Sequence, residues 1–445
     1  MVSIILVSFN VPEVTVACIE SIKSNVSCPV EMIVVDNASS QETIDALEAL
    51  DGIRLIKNSE NRGFPAACNE GLAVARGDFI WFLNNDTIIP HGSLELMLSV
   101  LDSDERIGMV GPVTNRISGI QQIPVDYEGV DLPAIERFAE GRRCEFGGLT
   151  EPVTRLVGFS MLLRKSQLDA LGGLDESMGI GTFEDDDLSL RLMANGYRLV
   201  IAKGAFIHHR GGASFSEAGG VPTRGDENQR IVSARYGLTV PDDVVQNKKV
   251  ISFVDAHCAG TFVDVRCGCG ANALYARSKG LHTIGVEFGE MQYSLAASST
   301  NECILAGEAC EKLPAGDAVA VAFERQIDLK DVEYFFGAFD GKPQYVLFTA
   351  PYVAEIDGKA VAFRDSWNEA GSAPEYCGFD SGRLMESMLR RGYRCIEENL
   401  EDIWLGFFAR NAVGRLKRAY GRDDLVFQCY TAVYALNSQE DLAGR

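Results

Sequence analysis

Long apolar runs are missing from this 445-residue chain. None approaches the ~18–20 residues that cross a bilayer, so no membrane-spanning helix is expected. Positive charge is scarce too. Lys and Arg total 41 against 63 Asp and Glu, a formal net charge of −22. That balance argues against nucleic acid as the main partner, because phosphate binding needs clustered cations, and it disfavours broad docking on anionic lipid. The 12 cysteines are scattered, without the dense framework of a small secreted domain, and suit a reducing cytoplasm. Cys267 and Cys269 form a lone CxC with no second pair nearby, which is poor support for zinc. The opening "MVSIILVSFN" lacks a positive n-region and a small-residue cleavage site, and reads as a strand rather than a signal peptide. No internal repeat and no low-complexity tract stands out.

What is present is ordinary packed protein, 46% hydrophobic and 23% charged, with a length that suggests two domains. "SIILVSF" (3–9), "EMIVVD" (31–36), "IRLIKN" (53–58) and "DFIWFL" (78–83) read as strands. Between the first two, "EVTVACIESIKS" places Val14, Ala17, Cys18 and Ile22 at helical spacing. Such alternation implies a mainly parallel sheet with helices on both faces. In these sheets ligands bind beyond the carboxyl ends of the strands. Three polar clusters fall there: Ser8–Asn10, Asp36–Asn37 and Asn84–Asp86. Asn and Asp are good turn formers, but turn chemistry explains one such cluster better than three. Residues 115–150 read as an irregular surface excursion, "RLVGFSMLLRK" (155–165) as a strand, and "GLTVPDDVVQNKK" (237–249) as a linker.

"FEDDDLSLRLMANGYR" (183–198) sets four acids at the start of a helix whose Leu188 and Leu192 face inward. Acids at a helix N-terminus cap N–H groups and complement the dipole, but four in a row exceed that need, and one carboxylate there is a candidate general base. "AFIHHRGGASF" (205–215) supplies two of only five histidines, placed as plausible metal ligands.

In order along residues 1–240, "VSFN", "VVDNASS", "NRGFPAACNEG", "LNNDT", "VGFSMLLRK", "GGLDE", "FEDDDLSLR" and "HRGGASF" resemble an inverting family 2 glycosyltransferase of the rhamnosyltransferase-like branch. The resemblance implies a GT-A nucleotide-diphospho-sugar transferase fold over 1–240. It also implies a nucleotide-diphosphate sugar donor and a glycan or lipid-linked acceptor. Ser8, Asn10, Asp36 and Asn37 would line the pocket for base and ribose, with Asn85 nearby, and Asn61, Gly63 and Asn69 would shape the loop beside the donor. Asp86 matches the last acid of the family's metal motif, and His209 a later histidine that completes the site for Mn²⁺ or Mg²⁺. Asp185 matches the catalytic base, with Glu184 beside it and Asp187 as the second choice. The resemblance implies a cytoplasmic protein of surface-polysaccharide synthesis, with the inner face of the membrane and a peripheral association left open. A sugar-1-phosphate nucleotidyltransferase would carry a Gly-rich basic loop where this chain has "SFNVPEV". A carbohydrate-binding module would not need Asp86, Asp185 and His209.

From 250 to 445 a second α/β pattern follows. "FVDVRCGCGANALYARSKGLHTIGVE" (262–287) is strand, glycine loop, helix, strand, then acid. With "GEACEKLP" (307–314) and the strands at 317–324, 343–351, 393–400 and 425–436, it resembles a class I S-adenosylmethionine methyltransferase with a Rossmann-like fold. Asp264, Gly268, Gly270 and Glu287 would then bind the cofactor. Arg266 stands where that family expects glycine, "FERQIDLKDVE" lacks an expected histidine, and Gly268, Gly270 and Ala273 also fit a dinucleotide fingerprint. A live methyltransferase, an inactive interaction module and an NAD-linked enzyme stay open.

Overall fold

A computed structural model describes residues 1–211, 225–238, 240, 242–305, 319–324, 329–338, 343–356, 359–363, 376–402 and 427–436. The chain divides into two compact units, Met1–Val232 and Ser233–Arg445. Both are α/β.

The first unit begins β1 (Val2–Ser8), α1 (Pro12–Asn25), β2 (Val30–Asp36), α2 (Gln41–Glu48), β3 (Ile53–Lys57), α3 (Phe64–Val74) and β4 (Phe79–Asn84). It continues with β5 (Thr87–Ile88), α4 (Ser93–Asp102), β6 (Ile107–Thr114), α5 (Leu132–Phe146), β7 (Thr150–Val153), β8 (Ser160–Arg164) and α6 (Lys165–Leu171). Then come α7 (Glu184–Ala194), β9 (Arg198–His209) and the first turns of α8 (Gly225–Tyr236). Strands run in the order β3-β2-β1-β4-β8-β6-β9-β5, with β7 on β9. β3, β2, β1 and β4 are parallel, which demands helical cover on both faces and continuous apolar runs. Ile4, Ile5 and Leu6 of β1 are fully buried. The register sets Ser8 beside Asp36 and Val7 beside Asn84, so three polar strand ends share one edge.

The second unit is built from α9 (Lys248–His257), β10 (Thr261–Val265), α10 (Ala271–Ser278), β11 (His282–Glu287), α11 (Glu290–Ala296), β12 (Glu302–Leu305) and β13 (Val319–Glu324). α12 (Leu329–Ala338), β14 (Tyr345–Ile356), β15 (Lys359–Phe363), β16 (Tyr376–Asp380), α13 (Ser381–Arg390), β17 (Tyr393–Asp402) and β18 (Phe427–Leu436) complete it. β12-β11-β10-β13-β14 are parallel neighbours, the 3-2-1-4-5 order of a doubly wound sheet. β18 runs antiparallel between β14 and β17.

Three readings need correction. Residues 115–150 hold a 15-residue helix, α5, capped by Asp131, whose side chain accepts from the Ala134 N–H. The strand expected over 155–165 is β8 alone, because the chain turns at 155–158 to meet α7. The helix expected from Val14, Ala17, Cys18 and Ile22 is α1, which buries Thr15, Cys18, Ile19 and Ile22. Within 237–249, Leu238, Val240 and Val244 are buried, so that stretch is packed structure, not linker. Among the described residues, no helix is long and apolar enough to cross a membrane.

Candidate active site

At the carboxyl ends of β1 and β2 two loops lock together. The Asn10 N–H donates to Ser39 Oγ (2.8 Å) and the Ser40 N–H to Asn10 Oδ1 (3.0 Å). Asn10, Val11 and Ala38 hold φ of 55°, 47° and 68°. For Val11, β-branched, that is a strained conformation of the kind that clusters at functional sites. Asp36 is fully buried. Its Oδ2 accepts from the Ser39 N–H at 3.1 Å, whereas Oδ1 meets no donor. A buried acceptor without a donor costs ~1–3 kcal/mol, which a ligand N–H or hydroxyl would recover. Ser8 Oγ lies 3.3 Å from Thr15 Oγ1, and Asn85 Nδ2 donates to the same Thr15 oxygen at 2.8 Å. Ser8 and Asn85 thereby tie the strand ends to α1.

Asp86 and His209, 123 positions apart in sequence, meet because β5 pairs with β9, Thr87 opposite His209. His209 Nε2 stands 3.1 Å from Asp86 Oδ1 and 3.5 Å from Asn84 Nδ2. Its Nδ1 is 2.8 Å from the Arg116 carbonyl oxygen. That oxygen can only accept, so Nδ1 carries a proton and Nε2 is left to face the carboxylate. A lone pair opposing a carboxylate oxygen at this distance calls for a cation between them, a proton or a metal ion. A backbone carbonyl fixing the far nitrogen is the usual outer support of a metal-binding histidine. Phe159 stacks on the imidazole, centroids 5.1 Å apart, and Asn115 exchanges two bonds with the His209 backbone. Among the described residues no three His, Cys, Asp or Glu gather as a cage. The pair thus fits a hard divalent cation that takes its remaining ligands from phosphate and water.

The four acids of α7 have different surroundings. The N-cap is Phe183, at φ 70° and without a capping side chain, and among the acids Asp185 takes a first-turn N–H, that of Asp186. Asp187, fully buried, pairs with Arg191 at 2.7 Å. Asp186 pairs with Arg155 Nε at 2.6 Å. Asp185 receives the Gly158 N–H on Oδ2 and the Asp186 N–H on Oδ1, both at 2.9 Å. Glu184 Oε2 is buried and meets no donor. Burial, then the charge of Asp185, pushes Glu184 up to about 8. Burial pushes Asp186 up to about 7, outweighing the pull of Arg155.

These two shifts have a sign. The folded state holds both protons more tightly than the unfolded chain. Their contribution is full below the ordinary carboxyl range and is lost as pH rises through about 7 and about 8. Denaturation of the first unit should therefore lose a few kcal/mol between roughly pH 5 and pH 9, and Glu184→Gln should flatten that slope. An unchanged slope in the variant would contradict the assignment.

Amides clamp the loops around these groups. Asn37 Nδ2 donates to Asn61 Oδ1 (2.8 Å), which also accepts the Gly63 N–H (2.9 Å). Asn69 both donates to the Leu174 carbonyl (2.8 Å) and accepts the Leu174 N–H (2.9 Å). Asn228 Nδ2 lies within 3.0 Å of the carbonyls of Met178, Gly181 and Thr182, just before α7. Gly63 sits at φ +84°, and a Cβ there would collide with the Gly179 carbonyl. Gly63→Ala is expected to cost about 3 kcal/mol or more, through positive φ plus overpacking, read as a lower urea midpoint. The sequence reading missed Arg155, Asn115, Phe159 and Asn228. Only Arg155, a lone cation just before a buried apolar run in "TRLVGFSMLL", left a signal to follow.

In the second unit Glu287 turns to its own glycine loop. Oε1 accepts the Gly268 N–H at 2.5 Å and Oε2 the Phe288 N–H at 3.3 Å, and burial pushes the carboxyl up to about 7. Asp264 is buried at the end of β10, and Gly270, at φ +80°, packs on Ser299. Gly268 lies against Asp243 and Leu238, and the Cys269 thiol donates to the Asp243 carbonyl at 2.9 Å. Arg266 holds φ +59°, a glycine-like conformation, with its guanidinium 4.4 Å over the Phe288 ring. As placed, Gly268 is buried and its N–H is taken by Glu287, so the loop does not hold that donor open to a cofactor. "GEACEKLP" lies outside the described residues.

Comparison with known proteins bears on the first unit. Residues 3–169 match the family model described as Glycosyl transferase family 2. An O-antigen biosynthesis protein of Myxococcus xanthus, RfbC, is 28% identical over 231 residues, 49% of this chain and 17% of the relative. An uncharacterized glycosyltransferase of Haemophilus influenzae is 27% identical over 43% of this chain and 62% of its own length. A β-1,3-glucosyltransferase of Escherichia coli, WfaP, is 33% identical over 19% of this chain and 35% of its own. The chain thus spans less than two thirds of each. Among solved structures, GalNAc-T7 with UDP, GalNAc and Mn²⁺ aligns over 47% of this chain and 43% of that one, at 14% identity and TM-score 0.39. The N-terminal region of this chain carries a glycosyltransferase family 2 domain.

Proposed function

We propose that the first unit is a metal-dependent inverting glycosyltransferase. It moves a sugar from a nucleotide-diphosphate donor to a glycan or lipid-linked saccharide during surface-polysaccharide synthesis. The observation that carries this reading is the meeting of Asp86 and His209, with the far nitrogen of the imidazole fixed by the Arg116 carbonyl. Asp36, with one oxygen unpaired, would take a donor group of the base or ribose. Asp86 and His209 would hold Mn²⁺ or Mg²⁺, which screens the diphosphate and improves it as a leaving group. Asp185, gripped through two N–H bonds, would take the proton of the acceptor hydroxyl. The hydroxyl oxygen then bonds to the anomeric carbon from the face opposite the diphosphate, which departs with the bonding pair, inverting that centre.

For the second unit, the strand order supports a Rossmann-like module, and the covered Gly268 favours an inactive interaction module over a methyltransferase. A thermal-shift panel on the full chain tests both units. Ligand at about a hundred times its Kd should stabilise by ~2.7 kcal/mol. One of UDP, dTDP or GDP should shift a transition when Mn²⁺ is present, and S-adenosylhomocysteine should not. Absence of any nucleotide shift would count against the transferase, and a shift with S-adenosylhomocysteine against the inactive module.

A further inference from the structure

We propose that Arg155 is a positioning residue for Asp185: it spans Asp185 and Asp186 with one guanidinium and holds the base in place among three neighbouring acids. This rests on the transferase reading above. Nε of Arg155 is 2.6 Å from Asp186 Oδ1, and Nη2 is 3.8 Å from Asp185 Oδ2. The guanidinium is largely enclosed, with 17% of the Arg155 side chain and 1% of Asp186 exposed. The segment that bears it is pinned. The Leu156 N–H reaches Ser189 Oγ at 3.4 Å, the Val157 N–H donates to Gln121 Oε1 at 2.8 Å, and the Gly158 N–H donates to Asp185 itself. One short turn, 155–158, therefore delivers both a charge and a hydrogen bond to the same carboxylate.

A buried Arg–Asp pair has a simpler explanation, that Arg155 exists only to neutralise Asp186. The geometry reaches further than that. Asp187 has its own partner in Arg191, and Arg155 is the cation that the described ion pairs give to Asp185. Without that guanidinium the Asp185 carboxylate keeps the Gly158 and Asp186 N–H bonds but loses the partner that fixes it against Asp186.

Arg155→Met combined with Asp186→Val separates the explanations. Removing both members of a buried pair is often neutral for folding, whereas removing one is costly. The full chain with Mn²⁺ is assayed for nucleoside diphosphate release from UDP-glucose, UDP-N-acetylglucosamine, dTDP-rhamnose and GDP-mannose across pH. The double variant should melt near the wild type and keep its donor KM within about threefold. Its kcat should fall about tenfold or more. Arg155→Lys, with Asp186 kept, should recover part of kcat. A folded double variant with wild-type kcat would overturn the proposal and leave the transferase reading intact. A wild type that releases nucleoside diphosphate from none of the four donors would overturn both.

Discussion

Asp185→Asn should remove sugar transfer by about 10³-fold, within the 10²–10⁴ range of general base catalysis, while nucleotide affinity stays within about twofold. The substitution is nearly isosteric, and the carboxylate it replaces is held by the N–H groups of Gly158 and Asp186. An amide keeps one of those bonds and turns its NH₂ toward the other donor, so a stability loss of about 1–2 kcal/mol accompanies the catalytic loss. In the proposed reading donor binding rests on the separate strand-end cluster of Ser8, Asp36 and Asp86. Isothermal titration with the nucleoside diphosphate, beside initial rates, distinguishes the two effects. Loss of nucleotide affinity in this variant would instead make Asp185 part of the pocket's structure.

The second large effect is at Asp86. Asp86→Asn should weaken Mn²⁺-supported nucleoside diphosphate binding by about 100-fold, because the screening of diphosphate charge is worth several kcal/mol. Binding measured in EDTA should change little, so the variant loses the increment that Mn²⁺ adds and not the base contacts. The imidazole of His209 is braced by Arg116, Asn115 and Phe159 and stays in place when Asp86 changes. Equal affinity of variant and wild type with Mn²⁺ would remove Asp86 from the metal site.

The sequence exposed the strand ends well. β1, β2 and β4 are buried on both faces, so their apolar runs are continuous and their polar ends conspicuous. The convergence of Ser8, Asp36 and Asn84 then follows from parallel pairing alone. The meeting of Asp86 with His209 depends on β5, only two residues long, which no periodicity reveals, and it entered through resemblance. α5 was hidden because "LPAIERFAEGRRCEF" buries only Ala134, Ile135 and Ala139, a narrow stripe in a polar segment, although Asp131 and Pro133 mark its start. The division of labour among Glu184–Asp187 was out of reach. It is set by Arg155, Gly158 and Arg191, and four identical-looking acids carry no mark of which partner each will find. The glycine loop of the second unit was legible as a loop, but its cover by Leu238 and Asp243 was not, since the stretch that supplies them reads as polar linker.

The most direct measurement is nucleoside diphosphate release by the full chain from a panel of nucleotide sugars, with Mn²⁺ and with EDTA. The account predicts turnover of one donor with Mn²⁺, its collapse in EDTA, and inversion at the anomeric carbon of the product. Turnover unaffected by EDTA, or retention at that carbon, would contradict it.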